Sequence, residues 1–187
     1  MIDQNPLYDA LNEVLRQYRD SFIGKAYDEE NNDVDLLMDV FGITPDLKRE
    51  NRQYWGRELG MCWQRLVVEL CRRTCKDFGP ALRFDADEPC DLTVSKQAID
   101  TKYRIGSGDS GTLKKFKSYA PLLKNAGYEP VLLIVREDNL PAAITACKEG
   151  GWTLLTGDST FRYITQLTGF DIKDYLKAKA KGYALGR

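Results

Sequence analysis

Apolar residues recur at Leu7, Tyr8, Leu11, Val14, Leu15, Tyr18 and Phe22, and this three-to-four spacing predicts an amphipathic helix over 7–23. The acidic, Asn-rich stretch 25–35 breaks that period and reads as a loop or the lead-in to a helix. Residues 36–41 read as a short helix stopped by Gly42, with Thr44-Pro45 restarting the chain. A longer helix follows over about 55–76, where Leu59, Cys62, Trp63, Leu66, Val67 and Leu70 form one apolar stripe. After Phe78-Gly79-Pro80 the pattern alternates instead, predicting strands over 81–84, 90–94 and 97–104. A Gly- and Ser-rich loop, 106–111, feeds a helix over 112–125, and the continuous apolar run 131–135 has the character of a strand buried on both faces. A helix over 140–148, a strand over 152–155 and helices starting at Ser159 and Asp171 complete the pattern. The order implies an α/β fold, a mixed β-sheet flanked by helices. The N-terminal residues 1–54 form a helical arm in this reading, and 55–187 the main domain. No internal repeat is visible.

Two of the predicted strands carry charges that agree with their apolar pattern. With a turn centred on Lys96-Gln97, Val94 pairs with Ile99, Thr93 with Asp100 and Asp91 with Lys102. Side chains alternate along a strand, so Asp91, Thr93, Asp100, Lys102 and Arg104 occupy one face. Leu92, Val94 and Ile99 occupy the other, where a core needs them. A slip of one residue would bury the charges and expose the aliphatics. Two aspartates brought together repel unless a proton or a divalent cation intervenes. Hard oxygen donors suit Mg2+, which takes one or two protein carboxylates and leaves other positions to water and phosphate. A metal there would ease the deprotonation of water, and the Lys102 ammonium would orient that water or offset charge developing on phosphorus. The plain alternative is an ordinary cross-strand Asp–Lys pair on a surface hairpin, worth on the order of a few tenths of a kcal/mol.

Composition narrows the chemistry. The 187 residues include no histidine, which removes His-metal nucleases, His-based triads and phosphohistidine chemistry. Hydrolysis would have to run on carboxylates, lysine, hydroxyls, thiols or an oxygen-held metal. Five scattered cysteines argue against a disulfide framework. Cys71 and Cys75 lack the paired spacing of a zinc site and read as small core residues. No apolar run approaches the roughly 18–20 residues that span a bilayer, and the N-terminus lacks a signal pattern. A cytoplasmic protein with no membrane partner is expected. The net charge of −1 does not advertise a nucleic-acid ligand, but its distribution is uneven. Residues 28–50 carry eight acidic and two basic side chains, whereas 102–124 carry six basic ones and a single acid, Asp109. Such a basic stripe either binds phosphate or is a solvated helix face.

The motif Pro89-Cys90-Asp91, followed after eight residues by Asp100-Thr101-Lys102, resembles that of the PD-(D/E)XK nuclease superfamily, in particular small type II restriction endonucleases. Many members have Pro and Asp adjacent, while here Cys90 separates them; only the acid is chemically required in that family. The order helix, three strands, helix, strand over about 55–135 fits its core. More faintly, Lys102 to Trp152 resembles the ApaLI-like restriction enzymes. The resemblance implies a restriction-endonuclease-like core with Asp91 and Asp100 as ligands of Mg2+, for which Mn2+ substitutes, and the Thr101 carbonyl as an extra ligand. It implies that Lys102 contacts the attacking water and the scissile phosphate. Members often carry an acid on the preceding helix in a Gly-x-x-aromatic-Glu pattern. Gly60-Met61-Cys62-Trp63-Gln64 places glutamine there, making Gln64 a candidate for orienting water. Glu58 and Glu69 lie on the opposite rim of the same helix, as catalytic candidates or as solvated charges, and the sequence does not say which rim faces the site.

The resemblance further implies double-stranded DNA as partner, a palindromic site and a homodimer, with the N-terminal helices as its interface. In the segment after the metal strand, Gly106, Gly108 and Gly111 permit close approach of backbone to phosphate. Ser107, Asp109, Ser110 and Thr112 are candidates for base or phosphate contacts, and Arg104, Lys114, Lys115 and Lys117 supply charge. Asp109 or Ser110 alternatively caps the following helix. A recombination or repair nuclease of the same fold, and a DNA-binding module without cleavage, are the other readings.

Overall fold

A computed structural model of the chain describes residues 31–106 and 108–185, so the helix expected over 7–23 and the candidate Ser107 lie outside the described residues. Asp35 opens α1 (Leu36–Phe41) by accepting the N–H groups of Leu37 and Met38, and Gly42 closes it with φ 62°. Thr44 caps α2 (Pro45–Glu50), whose proline stands where a missing N–H costs nothing. Asn51 then accepts from Tyr54 N–H and starts α3 (Arg52–Thr74) three residues before the predicted helix start at Trp55. Its buried positions, Leu59, Trp63, Val67 and Cys71, are spaced by four and lie on one side.

Five strands follow in the spatial order β1-β2-β3-β4-β5: β1 (Phe78–Pro80), β2 (Leu92–Val94), β3 (Gln97–Lys102), β4 (Glu129–Ile134) and β5 (Thr153–Thr156). The first three are antiparallel neighbours and the last three parallel, which is the mixed sheet that the sequence predicts. Crossover helices α4 (Ser110–Asn125) and α5 (Pro141–Gly150) cover one face of the sheet. The other face holds α3, α1, α6 (Asp158–Thr168) and α7 (Ile172–Ala178).

β4 shows how the sheet divides two cores. Val131 and Leu133 join Trp63, Ile99 and Phe161 on the α3 side. Leu132 and Ile134 join Ala98, Phe116 and Cys147 on the α4–α5 side. This two-sided burial is what the run 131–135 requires. Leu37, Met38, Val40 and Ile43 belong to the same buried cluster as Trp63, so the described part of the 1–54 arm packs into the core. Among the described residues no helix is long and apolar enough to cross a membrane.

The first strand and the hairpin register also differ from the sequence reading, and β3 ends at Lys102, not at Arg104. The first strand is Phe78–Pro80, not 81–84, and Phe84 makes only an isolated bridge to Asp87. The glycine and proline at which the period changes lie within this strand. A Cβ on Gly79 would meet Thr93 Oγ1 at 2.3 Å, so glycine permits close approach of β1 to β2, and Pro80 is tolerated at the end of an edge strand. The hairpin register is also shifted by two residues. Leu92 pairs with Ile99, Thr93 with Ala98 and Val94 with Gln97, around a two-residue loop, Ser95-Lys96. Ser95 turns the chain at φ 52°, donating its N–H to the Asp77 carbonyl (3.0 Å) and its hydroxyl to the Asp77 carboxylate (2.9 Å). The Lys96 carbonyl accepts from Glu129 N–H at 2.7 Å, so both flanks fix the turn. An even shift keeps Leu92, Val94 and Ile99 on one face and Thr93 and Asp100 on the other, but Asp91 no longer stands opposite Lys102, and Arg104 lies past the end of β3.

Candidate active site

β2 stops where β3 goes on. The last paired residues are Leu92 and Ile99, so the Thr101 N–H finds no strand beside it and needs another acceptor. Asp91 provides one. Its Oδ2 accepts from Thr101 N–H at 2.8 Å and from Thr101 Oγ1 at 2.5 Å, while its Oδ1 accepts from Gln64 Nε2 of α3 at 2.7 Å. The carboxylate thus completes the ladder that the backbone leaves open and links α3 to the edge of β3.

Asp100 and Lys102 project from β3 on the face of Ala98, under α4 and α5. The Lys102 ammonium donates to both carboxylate oxygens of Asp100 at 2.7 Å and to the Thr101 carbonyl at 3.1 Å. Asp100 is only 8% exposed. Burial pushes its carboxyl up to about 6, against the pull of Lys102, and nearby Asp91 adds to the rise. Burial alone would lower the Lys102 ammonium, but Asp100 and Asp91 outweigh it and hold it above its ordinary value. Cys90 and Cys147 lie near the same carboxylate. Burial first, and then Asp100, push their thiols up to about 11 and about 12, so both stay neutral near neutral pH.

No family model, curated protein or solved structure matches the chain. The donor set is two carboxylates and a carbonyl, all hard oxygen, and a cation already sits between two of its members in the form of the Lys102 ammonium. Among the described residues no group of three or more His, Cys, Asp or Glu side chains is gathered to hold a metal. Two carboxylates and a carbonyl could hold only an ion that keeps much of its shell for water and phosphate, the coordination habit of Mg2+ and Mn2+.

Of the acids and amides on α3, the structure brings Gln64 to the aspartates. Glu58 pairs with Arg57 at 3.0 Å and lines a separate surface hollow with Met61, Cys62, Arg65, Leu66 and Glu69. Glu69 in turn bridges Arg72 and Arg73. Further along, Arg104 donates through Nε to the carbonyl of Asp138 at 2.8 Å and to its carboxylate at 3.2 Å. At 14% exposure its charge is answered within the fold. Asp109 caps α4, accepting from Thr112 N–H at 2.9 Å and Thr112 Oγ1 at 2.7 Å, while Ser110 begins that helix in an exposed position. Lys114, Lys115 and Lys117 are exposed on α4. Lys115 lies 6.0 Å from the centre of the Tyr119 ring, and Lys117 pairs with Glu149 at 2.6 Å.

The sequence reading missed a buried polar network just past the ends of β3 and β4. Arg136 donates to Asp35 Oδ2 and the Asp33 carbonyl, both at 3.0 Å, and to Asp138 at 2.7 and 3.1 Å. Tyr103, which follows Lys102, donates to Asp35 and accepts from Lys48 Nζ at 2.8 Å. Despite burial, Arg136 holds the Asp138 carboxyl below its usual range. The available signal was an arginine set directly against the apolar run 131–135.

Proposed function

We propose that the chain is a Mg2+-dependent endonuclease that hydrolyses phosphodiester bonds of double-stranded DNA at a specific, palindromic site, in the manner of a type II restriction enzyme. The observation that carries this reading is the convergence of Asp91, Asp100, Lys102 and Gln64 at the end of β3. Asp91, Asp100 and the Thr101 carbonyl would hold the ion, which when bound supplies positive charge against the phosphodiester and eases deprotonation of water. Gln64 holds the Asp91 carboxylate in place with its amide. Lys102 offsets the negative charge that gathers on the phosphoryl oxygens during attack. The exposed lysines of α4 contribute sequence-independent attraction for the DNA backbone. A palindrome has twofold symmetry, so two copies of the chain, each cutting one strand, match it.

The test is digestion of phage and supercoiled plasmid DNA by the purified chain with Mg2+ or Mn2+, followed by sequencing of fragment ends. Ends at one recurrent sequence support the proposal. Cutting confined to branched or damaged substrates would move the chain to the repair or recombination class. A second reading, a DNA-binding module without cleavage, draws on the full engagement of Asp100 by Lys102. Gel-shift binding without cutting under either metal would favour it.

A further inference from the structure

Lys102 does more than wait for a phosphate, in a role that rests on the metal site proposed above. Its ammonium takes both oxygens of Asp100 and the carbonyl of Thr101, which are two of the three groups that would hold the ion. The contacts are short and charge-assisted, with Nζ–Oδ distances of 2.7 Å. Asp100 is buried, so water cannot readily take over the contacts that Lys102 makes. The Lys102 side chain is itself 38% exposed, which leaves its flexible stem room to swing outward. Asp91 is engaged differently. Its oxygens accept from the Thr101 N–H and hydroxyl and from the Gln64 amide, all neutral donors whose bonds do not exclude a cation.

We propose that Lys102 is a built-in competitor for the metal, occupying the Asp100–Thr101 part of the site until the ion displaces it, so that this lysine sets the ion affinity of the free protein. Displacement also moves the ammonium off Asp100 and frees its N–H donors for a phosphate. The side chain therefore exchanges one anion for another as the site is loaded. Removing the ammonium abolishes the competition and the repulsion between like charges only a few ångströms apart, so metal affinity rises while catalysis falls.

The experiment uses the full chain without DNA at mildly alkaline pH. Mn2+ is titrated into the parent, Lys102→Met, Lys102→Arg and Asp100→Asn proteins, bound ion is read from loss of the free-Mn2+ electron paramagnetic resonance signal, and circular dichroism confirms folding. Lys102→Met should bind about tenfold tighter than the parent or better, Lys102→Arg should stay within a few-fold of it, and Asp100→Asn should lose the site. A second measurement needs no variant. Acetylation of Lys102 in the parent, mapped by mass spectrometry against exposed Lys96, should rise when Mg2+ is added, because the ammonium leaves its partners. Asp100-dependent Mn2+ binding that is no tighter in folded Lys102→Met, or Lys102 acetylation indifferent to Mg2+, would overturn the competition and leave the metal site standing. Absence of Mn2+ binding in every protein would overturn both.

Discussion

Replacing Asp100 by asparagine should change how stability depends on pH more than it changes stability itself. The group is 8% exposed, and burial outweighs Lys102 in raising its carboxyl from 3.8 to about 6. Between those values the folded chain keeps a proton that the unfolded chain has released. The stabilisation is therefore fully present below the ordinary carboxylate value and is lost as pH rises through about 6. That rise corresponds to about 3 kcal/mol. Lys102 stays protonated across this window, since its own value is raised, and adds no slope there. The asparagine side chain would carry the uncharged shape of the acid at every pH. The stability of Asp100→Asn relative to the parent should thus grow by about 3 kcal/mol from about pH 3 to about pH 7. That is a relative gain of about 6–12 °C in Tm for a chain of this size. Urea denaturation at a series of pH values, followed by circular dichroism, measures the difference. A difference that stays flat would show that Lys102 satisfies an ordinary ionised carboxylate and that burial carries no net penalty.

Four other substitutions have defined outcomes. Lys114→Ala should lower the slope of log affinity for DNA against log salt by about one, the loss of one phosphate contact; Lys117→Ala should lower it less, because Glu149 already answers that charge, and equal slopes in parent and both variants would mean that this helix face does not meet DNA. Arg136→Met removes the guanidinium that joins the Asp35 and Asp138 carboxylates beneath the strand ends, leaving them to Tyr103 and Arg104, and should cost about 3 kcal/mol in urea denaturation, an effect under about 1 kcal/mol contradicting the network's role. Gly150→Ala places a Cβ 2.3 Å from the Phe116 carbonyl oxygen and 3.1 Å from Lys117 Cα, so α5 must move off α4; a loss of about 1–3 kcal/mol is expected, checked by thermal melting.

The parts of the fold that local rules govern were legible in the residues. Asp35 and Gly42 mark the ends of α1, and the change from helical to alternating period locates the hairpin. Alternation also assigned the hairpin faces, but it is blind to any even shift, so it allowed a register in which Asp91 met Lys102. What fixes the turn at Ser95-Lys96 is Asp77 on one side and Glu129 on the other, and neither is visible in the hairpin's own residues. Similarly, Gln64 and Glu58 sit on one helix at different angles, and only the packing of α3 against β3 decides which reaches Asp91. The Arg136 network joins residues about a hundred positions apart, beyond the reach of any motif or period. Asp109 and Arg104 show the reverse problem: both look available in the sequence, and both are engaged in structure, one as a helix cap and the other on Asp138.

The Asp91 contacts also set apart the fates of the acids under drift. Asp91 finishes a backbone ladder and ties α3 to the sheet, so the fold has a use for it with or without chemistry. Asp100 is buried at a cost and is answered chiefly by Lys102, so the fold would gain from an apolar or amide substitute there. If the chain cleaves DNA as proposed, a lineage that gave up that chemistry would accordingly shed Asp100 and Lys102 first and hold on to Asp91 and Gln64. In such descendants the surviving aspartate would be a relic of architecture, and its presence alone would be a poor guide to activity.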